Sequence, residues 1–145
     1  MLIGEFLHKL DEKGRLSIPA KFKSELKKGA VVTRGLDNCL SIYPLDEWNK
    51  LAEKLAALPI SNKNSRAFTR FMLSGATDVK LDKSGRILVA EYLREFASLK
   101  IKKQVIITGL QNRLEIWDEA EWKKYRKNTD KESSKIAEQL DDLNI

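Results

Sequence analysis

Two short stretches of the chain combine a carboxylate, a glycine and a guanidinium in one order: Asp11-Glu12-Lys13-Gly14-Arg15 and Asp82-Lys83-Ser84-Gly85-Arg86. Each residue type has a physical task there. An Asp side chain accepts nearby backbone N–H groups and closes a tight turn, and Gly takes a positive φ without a Cβ clash. Arg offers a planar fork of donors that fits phosphate oxygens, or O6 and N7 of guanine in the major groove of DNA. Lys13 and Lys83 would meet phosphates as mobile point charges. Spacing alone leaves a plainer alternative open, in which Asp11 and Asp82 cap their turns while Arg15 and Arg86 merely pair with them. A surface Arg–Asp pair contributes only about 0–1 kcal/mol, a weak reason to carry the arrangement twice.

Other chemistry is scarce. The one histidine, His8, has Val79 as its counterpart in the second stretch, and the one cysteine, Cys39, corresponds to Arg113. A single cysteine forms no intrachain disulfide, and no Cys/His cluster has metal-ligand spacing. There is no Gly-rich phosphate loop of the Walker or dinucleotide kind. Asp46 and Glu47 adjoin a helix start, where Asp46 reads as an N-cap rather than as half of an acid–base pair. His8 reads as a solvated strand-face residue and Cys39 as a small residue flanking a turn. The expectation is no catalytic residue, no metal and no cofactor. An enzyme acting on an anionic substrate at the two Arg turns would need a titratable partner beside each Arg, and only carboxylates are present.

The elements that must position these turns come from a repeat. Residues 11–18 return as 82–89, and 35–43 return as 109–117, with Trp48 and Trp122 closing each copy. Each copy reads as strand, turn, strand, helix, strand, turn, strand, helix. Residues 2–10 and 76–81 alternate apolar and polar side chains, the period of a strand. Residues 15–18 and 86–89 return from the turns. Pro19 suits the start of a helix over 20–26, with Phe22 and Leu26 at i, i+4; the second copy carries Ala90 there, followed by 91–97. Residues 31–33 and 105–108 are β-branched runs, turned back at 35–38 and 109–112 into 40–43 and 114–117. Helices follow from Asp46 toward Leu58 and over 119–127. Between the copies, 61–65 reads as a polar loop and 66–73 as a helix with Arg66 and Arg70 on one face, open to a subunit contact or a second basic patch. Phe68, Phe71, Trp48 and Trp122 read as core rather than as platforms for stacked bases. The organisation expected is 1–60 as the first repeat with its helix, 61–75 as a connecting helix, 76–127 as the second repeat with its helix, and 128–145 as a charged tail.

Size and charge narrow the partners. At 145 residues, with an apolar fraction of 42%, the chain can build one core shared by both halves, and each half alone is near the marginal size for a domain. No apolar run approaches the ~20 residues of a spanning helix, no secretion signal opens the chain, and it reads as cytosolic. Net charge is +6, and it is concentrated: 9–28 and 80–103 each hold seven Lys/Arg against three Asp/Glu. Positive charge thus gathers around each turn, the footprint of a polyanion binder. A scaffold whose basic face binds an acidic protein is the remaining alternative.

In combination, residues 11–22, Thr33-Arg34-Gly35-Leu36-Asp37, Tyr43-Pro44-Leu45 and Arg66-Ala67-Phe68-Thr69-Arg70-Phe71 resemble the bacterial MraZ family over about residues 1–125. The resemblance implies two AbrB-like repeats, each with an Asp-x-x-x-Arg motif, here Asp11/Arg15 and Asp82/Arg86. It implies a mixed α/β, β-rich fold: a pseudo-twofold, swapped-hairpin-type β-barrel with peripheral helices. It further implies sequence-specific binding of double-stranded promoter DNA upstream of a division and cell-wall gene cluster, assembly into a closed homo-oligomeric ring, and a cytoplasmic, nucleoid-associated protein. The resemblance places the motif residues Asp11/Arg15 and Asp82/Arg86 at the DNA; together with the residue chemistry above, the expected DNA-binding residues are Arg15, Arg86, Lys13 and Lys83, supported by Asp11, Gly14, Asp82 and Gly85. Ala90 departs from the family's usual Pro, so the helix after it is expected to survive with a less firmly fixed start.

Overall fold

The computed structural model describes residues 1–144 as a mixed α/β, β-rich molecule. Six strands form one antiparallel sheet: β1 (Leu2–Lys9), β3 (Ala30–Arg34), β4 (Leu40–Pro44), β5 (Thr77–Val79), β7 (Gln104–Gln111) and β8 (Leu114–Asp118). The short strands β2 (Arg15–Ser17) and β6 (Arg86–Leu88) form a separate two-stranded ribbon. Sheet order is β1-β7-β8-β4-β3-β5, so each copy's first strand pairs with the other copy's third strand. The copies therefore exchange strands, and neither half closes its own sheet. Ser41 pairs with its own counterpart Glu115 in the sheet, and Leu16 with its counterpart Ile87 in the ribbon. The pseudo-twofold axis thus runs through the centre of both.

Alternation along the strands divides the sheet into two faces. Val32, Leu40, Ile42, Val105, Ile107, Leu114 and Ile116 point inward and pack with Leu16 and Ile87 from the ribbon. Phe22, Leu26, Leu93 and Ala97 close the same core. Full burial of an aliphatic or aromatic side chain stabilises by roughly 1.5–3 kcal/mol, so this shared cluster makes each half depend on the other. On the other face, Ile106, Trp117 and Cys39 pack together, with Trp122 against them.

Helices α1 (Leu45–Ala56), α2 (Lys63–Ser74), α3 (Glu91–Phe96) and α4 (Glu119–Glu138) complete the chain. Several details differ from the sequence reading. Residues 20–26 form two 3₁₀ turns with i→i+3 bonds, whereas α3, after Ala90, is α-helical. In segments this short, packing rather than propensity sets the winding: bulky Phe22 and Leu26 occupy the places held by Leu93 and Ala97. Pro44, not Asp46, precedes α1, and no side chain caps that end; Asp118 does cap α4, accepting from the Glu121 N–H at 3.1 Å. Of the turn expected over 109–112, Gly109 and Leu110 still belong to β7, and the chain turns back in its second half, at Gln111 with φ 70°. Residue 76 and residues 80–81 fall outside β5, which keeps three residues against the eight of β1.

Helix α4 runs without a break past Lys127 to Glu138. It buries no residue in its length, and residues 128–135 carry no apolar side chain, so beyond Lys127 only Ile136, Leu140 and Leu143 at i, i+4, i+7 hint at a short terminal helix. Lys123–Glu119 and Arg126–Asp130 pairs at i, i+4 line the surface of α4. Phe71, Trp48 and Trp122 pack on neighbouring rings as a core reading expects, whereas Phe68 departs from it: it is 39% exposed and only stacks on Phe71, 6.3 Å between centroids. Phe71 and Phe96 meet at 5.7 Å, Tyr43 and Trp48 at 5.8 Å, and Trp117 and Trp122 at 5.3 Å between ring centroids. No helix among the described residues is long and apolar enough to cross a membrane.

Candidate nucleic-acid interface

Both Asp–Gly–Arg stretches fold into the same turn. Asp11 Oδ1 accepts the backbone N–H groups of Lys13 at 2.9 Å and Arg15 at 2.8 Å, while Asp82 Oδ1 accepts those of Ser84 and Arg86, each at 2.9 Å. Gly14 and Gly85 take φ of 78° and 74°. Each carboxylate's second oxygen then accepts Nε–H from its own arginine, at 2.8 Å for Arg15 and 2.9 Å for Arg86. The backbone N–H of Arg15 holds the Asp11 carboxyl below its ordinary value, and that of Arg86 does the same for Asp82. Both carboxylates stay ionised at neutral pH and hold their guanidinium groups in place.

The clamp has a consequence for donor geometry. Nε is spent on fixing each side chain, so the terminal nitrogens remain to meet a ligand. Among the described residues, no hydrogen bond uses the terminal nitrogens of Arg15 or Arg86; Nη1 of Arg86 approaches Asp11 Oδ2 at 3.8 Å as an ion pair only.

The ribbon brings the two turns together. Arg15 pairs with Leu88, and Ser17 with Arg86, while the Ile18 N–H donates to Gly85 O at 3.0 Å and the Val89 N–H to Gly14 O at 2.9 Å. Leu16 and Ile87 point into the core, so Arg15, Ser17, Arg86 and Leu88 share the outward face. Lys13 and Lys83 are exposed at the tips, though in unlike places: Lys13 directly precedes its glycine, and Lys83 stands one residue earlier.

Two further basic residues belong to this surface. Lys23 lies where a Cβ on Gly85 would fall, and Arg94 lies 3.0 Å from where a Cβ on Gly14 would fall. Each copy thus lays a cation over the other copy's turn. Arg94 is anchored there by Nε–H donation to Val89 O at 3.0 Å. Lys23 and Arg94 are separated by the offset of the turns themselves, so their sequence signal was a repeated positive charge whose spatial partner only the strand exchange reveals.

Cys39 is buried, donates to Leu36 O at 3.1 Å, and has its thiol pushed up to about 12 by burial. His8 is half-buried rather than solvated, on the inward side of β1, and burial together with Lys23 lowers its value from 6.5. Arg66 donates to Ile60 O at 3.0 Å, bracing the α1–α2 connection, and Arg70 is exposed. No group of three or more His, Cys, Asp or Glu among the described residues is placed to hold a metal. A cleft of about 450 Å³ lies on the helix-covered face of the sheet, away from the ribbon, where Arg113 neutralises Glu115 at 3.2 Å.

Comparison with known proteins agrees with the repeat. The family described as MraZ protein, antitoxin-like, matches twice, over residues 1–71 and 72–144, and so includes the charged end that the sequence motifs left outside. The chain is 52% identical to the transcriptional regulator MraZ of Caldanaerobacter subterraneus subsp. tengcongensis and 48% identical to that of Clostridium acetobutylicum, in each case over the whole of both chains. The chain belongs to the MraZ family, whose members are transcriptional regulators and not enzymes.

Proposed function

We propose that this protein is a sequence-specific regulator that reads double-stranded DNA through the β2–β6 ribbon. Arg15 and Arg86 are the readers, Lys13 and Lys83 contact phosphates, and Asp11, Gly14, Asp82 and Gly85 form the frame. The observation that carries this reading is the clamp: two guanidinium groups fixed through Nε on one outward face, with no hydrogen bond on their terminal nitrogens and only a 3.8 Å ion pair from Arg86 Nη1 to Asp11. Such a fork matches guanine O6 and N7, and a two-stranded ribbon fits a major groove about 12 Å wide. The cations Lys23 and Arg94 flank the same face and strengthen its attraction for phosphates.

One ribbon is small beside the roughly 1,000–2,500 Å² of protein surface in a typical specific interface. A closed ring of copies would repeat the ribbon and supply avidity. The exchange of β1 and β5 between copies supports an AbrB-like, swapped-hairpin-type β-barrel in tandem form. Following the family resemblance, the operator lies upstream of a division and cell-wall gene cluster, and the protein works in the cytoplasm at the nucleoid.

Selection from a random duplex pool by the full-length protein tests the reading, followed by titration of selected and scrambled duplexes across a salt series. The expected result is one enriched sequence, with log affinity falling linearly as log salt rises. Equal affinity for every duplex would overturn sequence reading. Light scattering should give several times 16.6 kDa, and a monomer that binds tightly would overturn the ring.

A further inference from the structure

The outward face of the ribbon has four positions, and one cannot make a hydrogen bond. Arg15, Ser17 and Arg86 carry donors; Leu88 carries an isobutyl group and is 58% exposed. A lone exposed leucine means little by itself. This one is set apart by its place. It stands directly across from Arg15 in the antiparallel register, on the same outward face as both arginines, and its pseudo-symmetric counterpart is the polar Ser17. Its strand neighbour Ile87 already supplies the ribbon's core contact, with 1% exposure, so Leu88 is not needed for packing.

The major groove offers one prominent apolar feature, the 5-methyl group of thymine. Directly opposed residues on antiparallel strands lie roughly 4.5–5.5 Å apart at Cα, against a base-pair rise of about 3.4 Å. A side chain opposite Arg15 therefore reaches the base pair that Arg15 reads or its neighbour.

We propose that Leu88 is a specificity-determining residue that contacts the 5-methyl group of a thymine next to the base read by Arg15. Ser17, beside Arg86, makes no such contact. The pseudo-twofold frame would then read its two base-pair positions unequally, which fixes the direction of the protein on the duplex. This inference rests on the ribbon entering the major groove.

The test uses the full-length protein and the duplex it selects, with each thymine replaced singly by deoxyuridine, which removes only the methyl. Wild-type affinity should fall about fourfold at one thymine position per bound subunit, the effect of one methyl group. Leu88→Ala and Leu88→Ser should bind more weakly and lose that penalty, while their dependence on the remaining bases and on salt stays that of the wild type. Circular dichroism and light scattering should report the wild-type fold and mass. Sequence-selective binding with no deoxyuridine penalty, a selected site without thymine, or a penalty that persists in Leu88→Ala overturns the inference and leaves the DNA reading standing. A wedge in the minor groove gives the first of these results, because the methyl lies in the other groove. A changed mass in Leu88→Ala assigns the side chain to a subunit contact and also overturns it. Failure to select any duplex overturns the DNA reading itself.

Discussion

The two turns share a backbone and differ in nearly everything attached to it. Their glycines sit at φ 78° and 74°, and their carboxylates make the same three bonds at 2.8–2.9 Å. Around that common frame, Glu12-Lys13 stands against Lys83-Ser84, Ser17 against Leu88, and Lys23 against Arg94. Asp11 touches both arginines, whereas Asp82 touches only its own. The lesson is a division of labour. The shared part fixes an arginine in space, and the unlike parts let two equivalent forks meet unlike surroundings.

Breaking the frame should have the largest effect, and it should break unequally. An alanine at either glycine costs about 1–2 kcal/mol in the left-handed region. At Gly14 the new Cβ also crowds Arg94, anchored to Val89 O, so Gly14→Ala should cost about 2–3 kcal/mol in denaturant unfolding. At Gly85 the obstacle is the flexible end of Lys23, which swings aside, so Gly85→Ala should stay near the backbone cost alone. Equal losses would remove Arg94 from the account of the first turn.

The carboxylates should rank next. Asp11→Ala frees Arg15 and removes the ion pair to Arg86, so it should lower operator affinity more than Asp82→Ala, by up to the tenfold to hundredfold that one fork contributes. The reverse order would show that the two arginines do not share Asp11. Both carboxyls titrate below 3.8 in the folded state, so their contribution is complete above that value and is lost as pH falls through the lower folded values.

A smaller asymmetry involves His8, which has Val79 as its counterpart. Burial and Lys23 lower its folded value below 6.5, so the unfolded chain takes up the proton more readily. Stability should be complete above about pH 6.5 and decline as pH falls toward the folded value, and His8→Val should flatten that segment of a stability–pH curve. An unchanged curve would place the titration elsewhere. Smallest of all is the thiol: Cys39, raised to about 12 and buried, should resist iodoacetamide at neutral pH until the protein unfolds, and prompt alkylation of the native protein would contradict its burial.

Much of this was legible before any coordinates. The repeat announced the shared core, and Asp and Gly at fixed offsets announced the turns because each side chain acts locally there. Pairing between distant strands was not legible: the alternation in 2–10 shows that a strand forms but not that β7, from the other copy, is its neighbour. Lys23 and Arg94 were hidden for the same reason, since each serves the turn of the opposite copy. The length of α4 was legible only at its ends, because Ile136, Leu140 and Leu143 hint at a terminal helix while the polar stretch 128–135 between gives no apolar period. The 3₁₀ winding of residues 20–26 depends on how Phe22 and Leu26 fit a core assembled from both halves.

Replacing Arg15 and Arg86, the proposed readers, by lysine tests the central claim most directly, because lysine keeps the charge and loses the clamped fork. In the Arg15→Lys, Arg86→Lys protein, affinity for the selected duplex should fall by roughly 1–3 kcal/mol per lost bidentate contact. Affinity for scrambled duplex and the salt slope should stay at wild-type values. A folded double variant that still prefers the selected duplex as strongly as the wild type would contradict the account, and the turns would then be structural.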